Sequence, residues 1–196
     1  LCNGKNQQAF AKIIEITKSS VRLQIGVLEL CHTELKMPLI LACALLKREN
    51  FEWVVQKATE LGVSEIQPLL TDRTVKEDMK RSRLEKIVVE AMEQSGRGVI
   101  PIIHEPISLE EYLKSSHDHS FVFDGEGVAW SDDLLSHSSK NMTVFIGPEG
   151  GWSKEERALF KEHSLKIIRL GARTLRAETA AVTALALVTN AIEKAS

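Results

Sequence analysis

The chain has 196 residues, is 43% hydrophobic and carries a formal net charge of −2. That length supports one core, or one core with a small module, and the composition excludes a mainly disordered chain. A protein that gripped nucleic acid with its whole surface would be strongly basic, so any such contact must come from a local patch or be strengthened by a second subunit.

The three cysteines, Cys2, Cys31 and Cys43, are odd in number and far apart, with no CxxC pair and no zinc spacing. They read as reduced thiols of a cytoplasmic protein, with no metal site expected. No signal peptide is evident, and no apolar run approaches the roughly 18–20 residues that span a bilayer. The first residue is Leu1, so a preceding piece is expected to be missing.

Residues 8–16 (QAFAKIIEI) and 19–30 (SSVRLQIGVLEL) are rich in β-branched and apolar residues and are predicted strands, joined by a turn at 17–20 (TKSS). The segment 31–38 (CHTELKMP) reads as a linker ending at Pro38. After it the continuous apolar run 39–45 (LILACAL) predicts a strand buried on both faces. In 49–62, Val54, Ala58 and Leu61 have helical spacing and Gly62 supplies a stop; Trp53 is expected in the core.

The remaining pattern alternates. Residues 63–70 read as a strand, 82–96 as a helix with a Ser82/Glu85 capping box, 99–106 as an extended piece, and 108–116 as a short helix with a Ser108/Glu111 box. Strands follow at 119–124 and 141–147, then a helix from Ser153 with a Ser153/Glu156 box, a strand at 165–171 and a long apolar helix over 177–195. Alternation with short connections predicts an α/β chain with a mainly parallel sheet and helices on both faces.

The run VFIGPEGGWSKEE (144–156) sends a buried strand into Gly147, Pro148, Glu149, Gly150 and Gly151 before a helix opens. Glycines let backbone approach a ligand closely, and ligands of open α/β sheets lie beyond the carboxyl ends of strands. The loop lacks the Lys-Ser or Lys-Thr of a P-loop, and its spacing and late position do not fit a dinucleotide fingerprint. A tight turn without a ligand remains open. A second loop, LGARTLRAETAA (170–181), also joins a strand to a helix and crowds Arg173, Arg176 and Glu178 at the entrance of an apolar segment. Buried charges need partners or a ligand, so the two loops read as walls of one cleft, or Arg176 and Glu178 as a mutual ion pair.

These stretches, with FEWVVQKATELGVSEIQPLLTDRTV (51–75) and EAMEQSGR (90–97), resemble the ribosomal RNA uracil-N3 methyltransferase family, RsmE, of the SPOUT superfamily. The resemblance covers essentially the whole chain, with four segments in order. It implies an α/β fold with a deep trefoil knot, the SPOUT domain over 37–196, in which the terminal helix passes through a loop. It further implies a homodimer, S-adenosylmethionine as methyl donor and small-subunit ribosomal RNA as substrate. Residues 1–36 resemble the back part of the family's PUA-like RNA-binding β domain, whose front part has no counterpart here. Gly147, Pro148, Glu149, Gly150 and Gly151 match the family's first cofactor loop. Leu170, Gly171, Leu175, Arg176, Glu178, Thr179 and Ala180 match its second, and Phe123, Asp124 and Gly125 a third wall. Arg97 matches an arginine assigned to substrate or catalysis. The family often has a basic residue two positions later, where this chain has Val99.

The chemistry suits such residues. Uracil N3 attacks well only as its anion, which a cation near O2 or O4 favours; Arg97 or Arg176 is the candidate, with Glu178 as candidate proton acceptor. The target base must be unpaired or flipped. Arg73, Lys76, Lys80, Arg81, Arg83 and Lys86 form either a phosphate-contacting patch or a solvated helix face interleaved with Glu77, Asp78 and Glu85. His117 and His119 read as a polar loop rather than a metal site. Trp152 either shields the cofactor or packs under the glycine loop. A ribose 2′-O-methyltransferase and a non-catalytic ribosome-binding protein remain alternatives.

Overall fold

The apolar runs become the centre of one sheet. In the computed structural model, which describes residues 1–74, 79–115, 119–131, 134 and 140–195, seven strands join in the order β11-β9-β10-β5-β6-β7, with β8 also on β6. They are β5 (Leu39–Ala44), β6 (Glu65–Leu70), β7 (Ile102–Ile103), β8 (Ile107–Ser108), β9 (Ser120–Ala129), β10 (Met142–Ile146) and β11 (Lys166–Arg169). Every pairing among them is parallel. β7 covers the start of the β6 edge and β8 its end.

Because side chains alternate along a strand, each central strand feeds two cores. Leu39, Leu41 and Cys43 of β5 and Val144 and Ile146 of β10 pack with α1 (Arg48–Glu60), α2 (Arg81–Ser95) and α5 (Ala177–Lys194). Ala42 and Phe145 point the other way, to α3 (Leu109–Leu113) and α4 (Lys154–Glu162), where Trp152 and Phe160 fill the layer. The expected parallel α/β arrangement with helices on both faces is therefore present.

Local signals mostly hold. Gly62 takes a positive φ of 89° just past α1, and Gly96 caps α2 at φ 69°, the left-handed stop that glycine allows. Ser153 and Glu156 form the full reciprocal box, and Ser108 caps α3 through the Glu111 N–H. The Ser82/Glu85 box does not form: α2 starts one residue earlier, at Arg81, with no side-chain cap. Glu85 instead accepts from Arg81 one turn away. Trp53 is also not core. Phe51, Val54, Val55 and Ala58 hold the inner stripe of α1, which leaves Trp53 41% exposed.

The N-terminal residues form two small antiparallel pairs rather than two long strands. β2 (Ala11–Ile16) pairs β3 (Val21–Ile25) across the expected turn, closed by Thr17 N–H to Ser20 O at 2.8 Å. β1 (Gln7–Gln8) pairs β4 (Glu29–Leu30). Breaks at Ala9–Phe10 and Gly26–Leu28 let the ribbon fold back, as Gly26 N–H donates to Phe10 O. The segment 31–38 is more than a linker: Cys31 is buried, and Leu35 and Met37 pack on the main core.

Candidate active site

A break in register creates the first wall of a cleft. β11 pairs Lys166 and Ile167 with Phe121 and Val122, then Ile168 and Arg169 with Val128 and Ala129. Residues 123–127 therefore loop out between two paired stretches. Gly127 makes the return possible, since a Cβ there would lie 2.5 Å from the Ile168 backbone nitrogen. Phe123, Asp124, Gly125 and Glu126 are thereby turned into a cavity of about 410 Å³.

The glycine loop supplies the second wall. The Gly151 N–H donates to Pro148 O at 2.8 Å, closing a tight turn, with Gly151 at φ 69°. A Cβ on Gly125, Gly151 or Gly171 would meet nothing within 4 Å, so backbone faces open space at three cavity-lining positions. Trp152 packs under the loop: it is 1% exposed, its indole N–H donates to Phe123 O at 3.2 Å, and a Cβ on Gly147 would lie 3.0 Å from its ring. It thus braces two walls and forms part of the cavity floor. The third wall is Leu170 to Leu175, with Ala177 and Ala180 of α5.

Charge around the cavity is mixed. The Arg157 guanidinium holds Asp124 Oδ2 at 3.0 Å and reaches Glu126 at 3.6 Å. Glu149 accepts from the Lys47 backbone N–H at 3.3 Å. Arg173 lines the opposite side, exposed and with no ion pair among the described residues. Cys43 lies on β5 beneath the loop; burial, then the nearby Glu149 charge, push its thiol well up, so it is no nucleophile.

The structure brings together Phe123, Gly147, Pro148, Glu149, Gly150, Gly151, Leu170, Gly171, Leu175 and Ala180 around this one space. It does not bring Arg176, Glu178 or Thr179 into the lining. Arg176 is the exposed N-cap of α5, no ion pair joins it to Glu178, and Glu178 Oε2 is buried with no hydrogen-bond partner among the described residues. Arg97 is elsewhere. It is 3% exposed near the amino end of β6, while the cavity lies at the looped-out part of β9 and the carboxyl end of β10. Its donors go to Glu34, Thr59 O and Val63 O. Within this chain Arg97 ties segments together rather than meeting the cleft.

Sequence reasoning missed Glu126, Ile146, Arg157, Ala172, Thr174 and Ala177 as lining residues. Ile146 was inferable as the residue before Gly147. Arg157 was not, because its role depends on the register break that carries Asp124 towards α4. Two of the five described members of the basic patch are ion-paired: Arg81 with Glu85 and Glu105, and Arg83 with Glu52. Lys76, Glu77, Asp78 and His117 lie outside the described residues.

Residues 33–189 match the RNA methyltransferase domain family. The chain belongs to the ribosomal RNA small subunit methyltransferase E family: it is 34% identical to that protein of Rickettsia conorii over 193 residues, covering 96% of this chain and 78% of the relative. Lpg2936 of Legionella pneumophila, solved with S-adenosylmethionine bound, superposes with a TM-score of 0.86 at 32% identity, covering 97% of this chain and 81% of the other. The ribosomal RNA small subunit methyltransferase E of Neisseria gonorrhoeae, bound to the same molecule, gives 0.87 at 28% identity, covering 96% and 81%.

Proposed function

We propose that this chain transfers a methyl group from S-adenosylmethionine to N3 of a uridine in small-subunit (16S) ribosomal RNA. The observation that carries the reading is the cleft between the looped-out residues 123–127 of β9 and the carboxyl ends of β10 and β11, whose walls present backbone at Gly125, Gly151 and Gly171. Its volume suits a ligand of cofactor size. Backbone at 147–151 and 170–175 would hold the donor, and Glu149, which unlike Asp124 and Glu126 is not shared with Arg157, would offset a positive charge. Bound there, the donor would supply an already activated methyl group.

The protein's part is to align the attacking nitrogen and exclude water. Arg97 is occupied at the other end of the sheet. Within one chain, the cation that favours the uracil anion is therefore Arg173 or Arg176, both exposed at the second loop. Glu178, in the first turn of α5 with one carboxylate oxygen unpartnered among the described residues, is the proposed acceptor of the N3 proton.

The same reading holds the enzyme to be a cytoplasmic homodimer that binds RNA across both subunits. It places α5 through a trefoil knot, an exception to the rule of unthreaded chains, and takes residues 1–36 as part of a PUA-like RNA-binding domain. Among the described residues no helix is long and apolar enough to cross a membrane, and no group of three or more His, Cys, Asp and Glu side chains is placed to hold a metal.

The test is incubation of unmodified small subunits with labelled donor, followed by nucleoside analysis. N3-methyluridine is the expected product. Label on a ribose would replace this reading with 2′-O-methylation, and calorimetry showing no heat with S-adenosylmethionine would replace it with non-catalytic ribosome binding.

A further inference from the structure

The glycine loop does not hold its shape alone. The tight turn Thr71–Thr74 at the exit of β6 is closed on itself: the Thr71 N–H donates to Thr74 Oγ1 at 2.9 Å, the two hydroxyls are 2.7 Å apart, and the Thr74 N–H donates to Thr71 O. Its two central residues reach the glycine loop and its exit. Asp72 Oδ2 accepts from Ser153 Oγ at 2.5 Å, and the Asp72 N–H donates to Glu156 Oε1 at 3.0 Å. Glu156 Oε2 accepts the Ser153 N–H at 2.7 Å, so one buried carboxylate joins both segments. Arg73 Nη1 donates to Gly150 O at 2.5 Å.

That last bond falls on a particular peptide unit. The Gly150 carbonyl and the Gly151 N–H belong to the same plane, and the N–H is already bound to Pro148 O. Arg73 and Pro148 therefore hold this plane at its two ends. Between two glycines a peptide flip meets little steric resistance, and a flip here would break both bonds. Both residues line the cavity, whereas Arg73 lies outside its lining. A Cβ added at Gly150 would lie 3.1 Å from Arg73 Cδ, so this glycine also admits the arginine stem.

We propose that Arg73 is a positioning residue for the methyl donor, fixing the Gly150–Gly151 peptide plane from behind the loop. The proposal rests on the assignment of the cavity to the donor. It differs from a phosphate-contacting role for Arg73, which would act on RNA instead.

The experiment compares wild type, Arg73→Ala and Arg73→Lys as full chains. Three quantities are read: S-adenosylmethionine affinity by calorimetry, methyl-transfer kinetics on unmodified small subunits, and melting temperature. Arg73→Ala is expected to weaken donor binding about tenfold and raise the donor KM in parallel, the loss of one charge-assisted hydrogen bond. The kcat at saturating donor stays within about threefold. Lysine can still reach a carbonyl with one donor and restores part of the affinity. Because Arg73 is exposed, the melting temperature hardly moves. Unchanged donor affinity in Arg73→Ala overturns the proposal, as does a fall in kcat or RNA affinity alone, which marks an RNA contact. Loss of affinity together with a large drop in melting temperature makes Arg73 a fold residue and overturns it too. A wild type that binds no donor overturns the cavity assignment, and the role of Arg73 falls with it.

Discussion

Glu34 and Arg97 form an ion pair at 2.6 Å between the segment that leaves the N-terminal strands and the end of α2. Arg97 also donates to Thr59 O and Val63 O, while Glu34 accepts the Gly98 and Val99 N–H groups. One pair, with Arg97 buried and Glu34 partly buried, thus closes a junction of four chain segments.

Removal of Glu34 leaves Arg97 buried without its counter-charge, and removal of Arg97 leaves Glu34 partly buried without its own. Arg97→Ala is expected to cost about 3–5 kcal/mol of stability, and Glu34→Ala a similar amount, read from denaturant unfolding of the full chain. The double variant should lose less than the two losses added together, because the pair fails as a unit. Unaltered stability in Arg97→Ala would return this residue to the list of catalytic candidates.

Gly127 lets residues 123–127 loop out of the β9–β11 ladder. In Gly127→Ala the new Cβ would collide with backbone of Ile167 and Ile168, which cannot retreat as a side chain can. The expected loss is about 1–3 kcal/mol, with donor affinity falling as well because Phe123 to Glu126 move. A variant that keeps both stability and affinity would show that the ladder tolerates a wider bulge.

Glu156 accepts N–H groups from Ser153 and Asp72 at 4% exposure. In Glu156→Gln one of those N–H groups faces an amide NH2 in place of an oxygen. A loss of about 1–3 kcal/mol is expected. Hydrogen exchange at Asp72 and Ser153 should rise together, since one side chain protects both.

Tyr112 is the single tyrosine of the chain, and its hydroxyl is pushed up to about 12, chiefly by burial. The unfolded chain releases this proton near the ordinary value of 10, so above that pH the folded state binds more protons. The contribution is fully present below pH 10 and is lost as pH rises towards 12. Tyr112→Phe should accordingly gain stability relative to wild type across that interval and show no difference in pH dependence below it. Tyrosinate absorbance following an unshifted curve would contradict the burial argument.

Much of the fold was legible because its signals are local. The run 39–45 reads as a strand covered on both faces, and β5 is one. Gly62 stops α1 where a left-handed residue is needed. Ser153 and Glu156 close their box because both partners lie in one turn. The two glycine-bearing loops were legible as walls for the same reason: each follows directly from a strand end. Ser82 failed as a cap because Arg81, with Glu85 and Glu105 within reach, is drawn into the helix. Trp53 failed as core because helical spacing marks a stripe but not its edge.

The sequence by itself determined the alternation of strands and helices, the places where glycine must turn the chain, and the family motifs, because each depends on neighbours a few residues apart. Only the tertiary structure decided that Arg97 belongs with Glu34, that Asp124 meets Arg157, and that Arg73 reaches Gly150 across 77 residues of chain. Such pairings depend on which strand lies beside which and where a ladder slips its register. A charged side chain carries no mark of that in its own segment; its partner is chosen by the packing of the whole sheet.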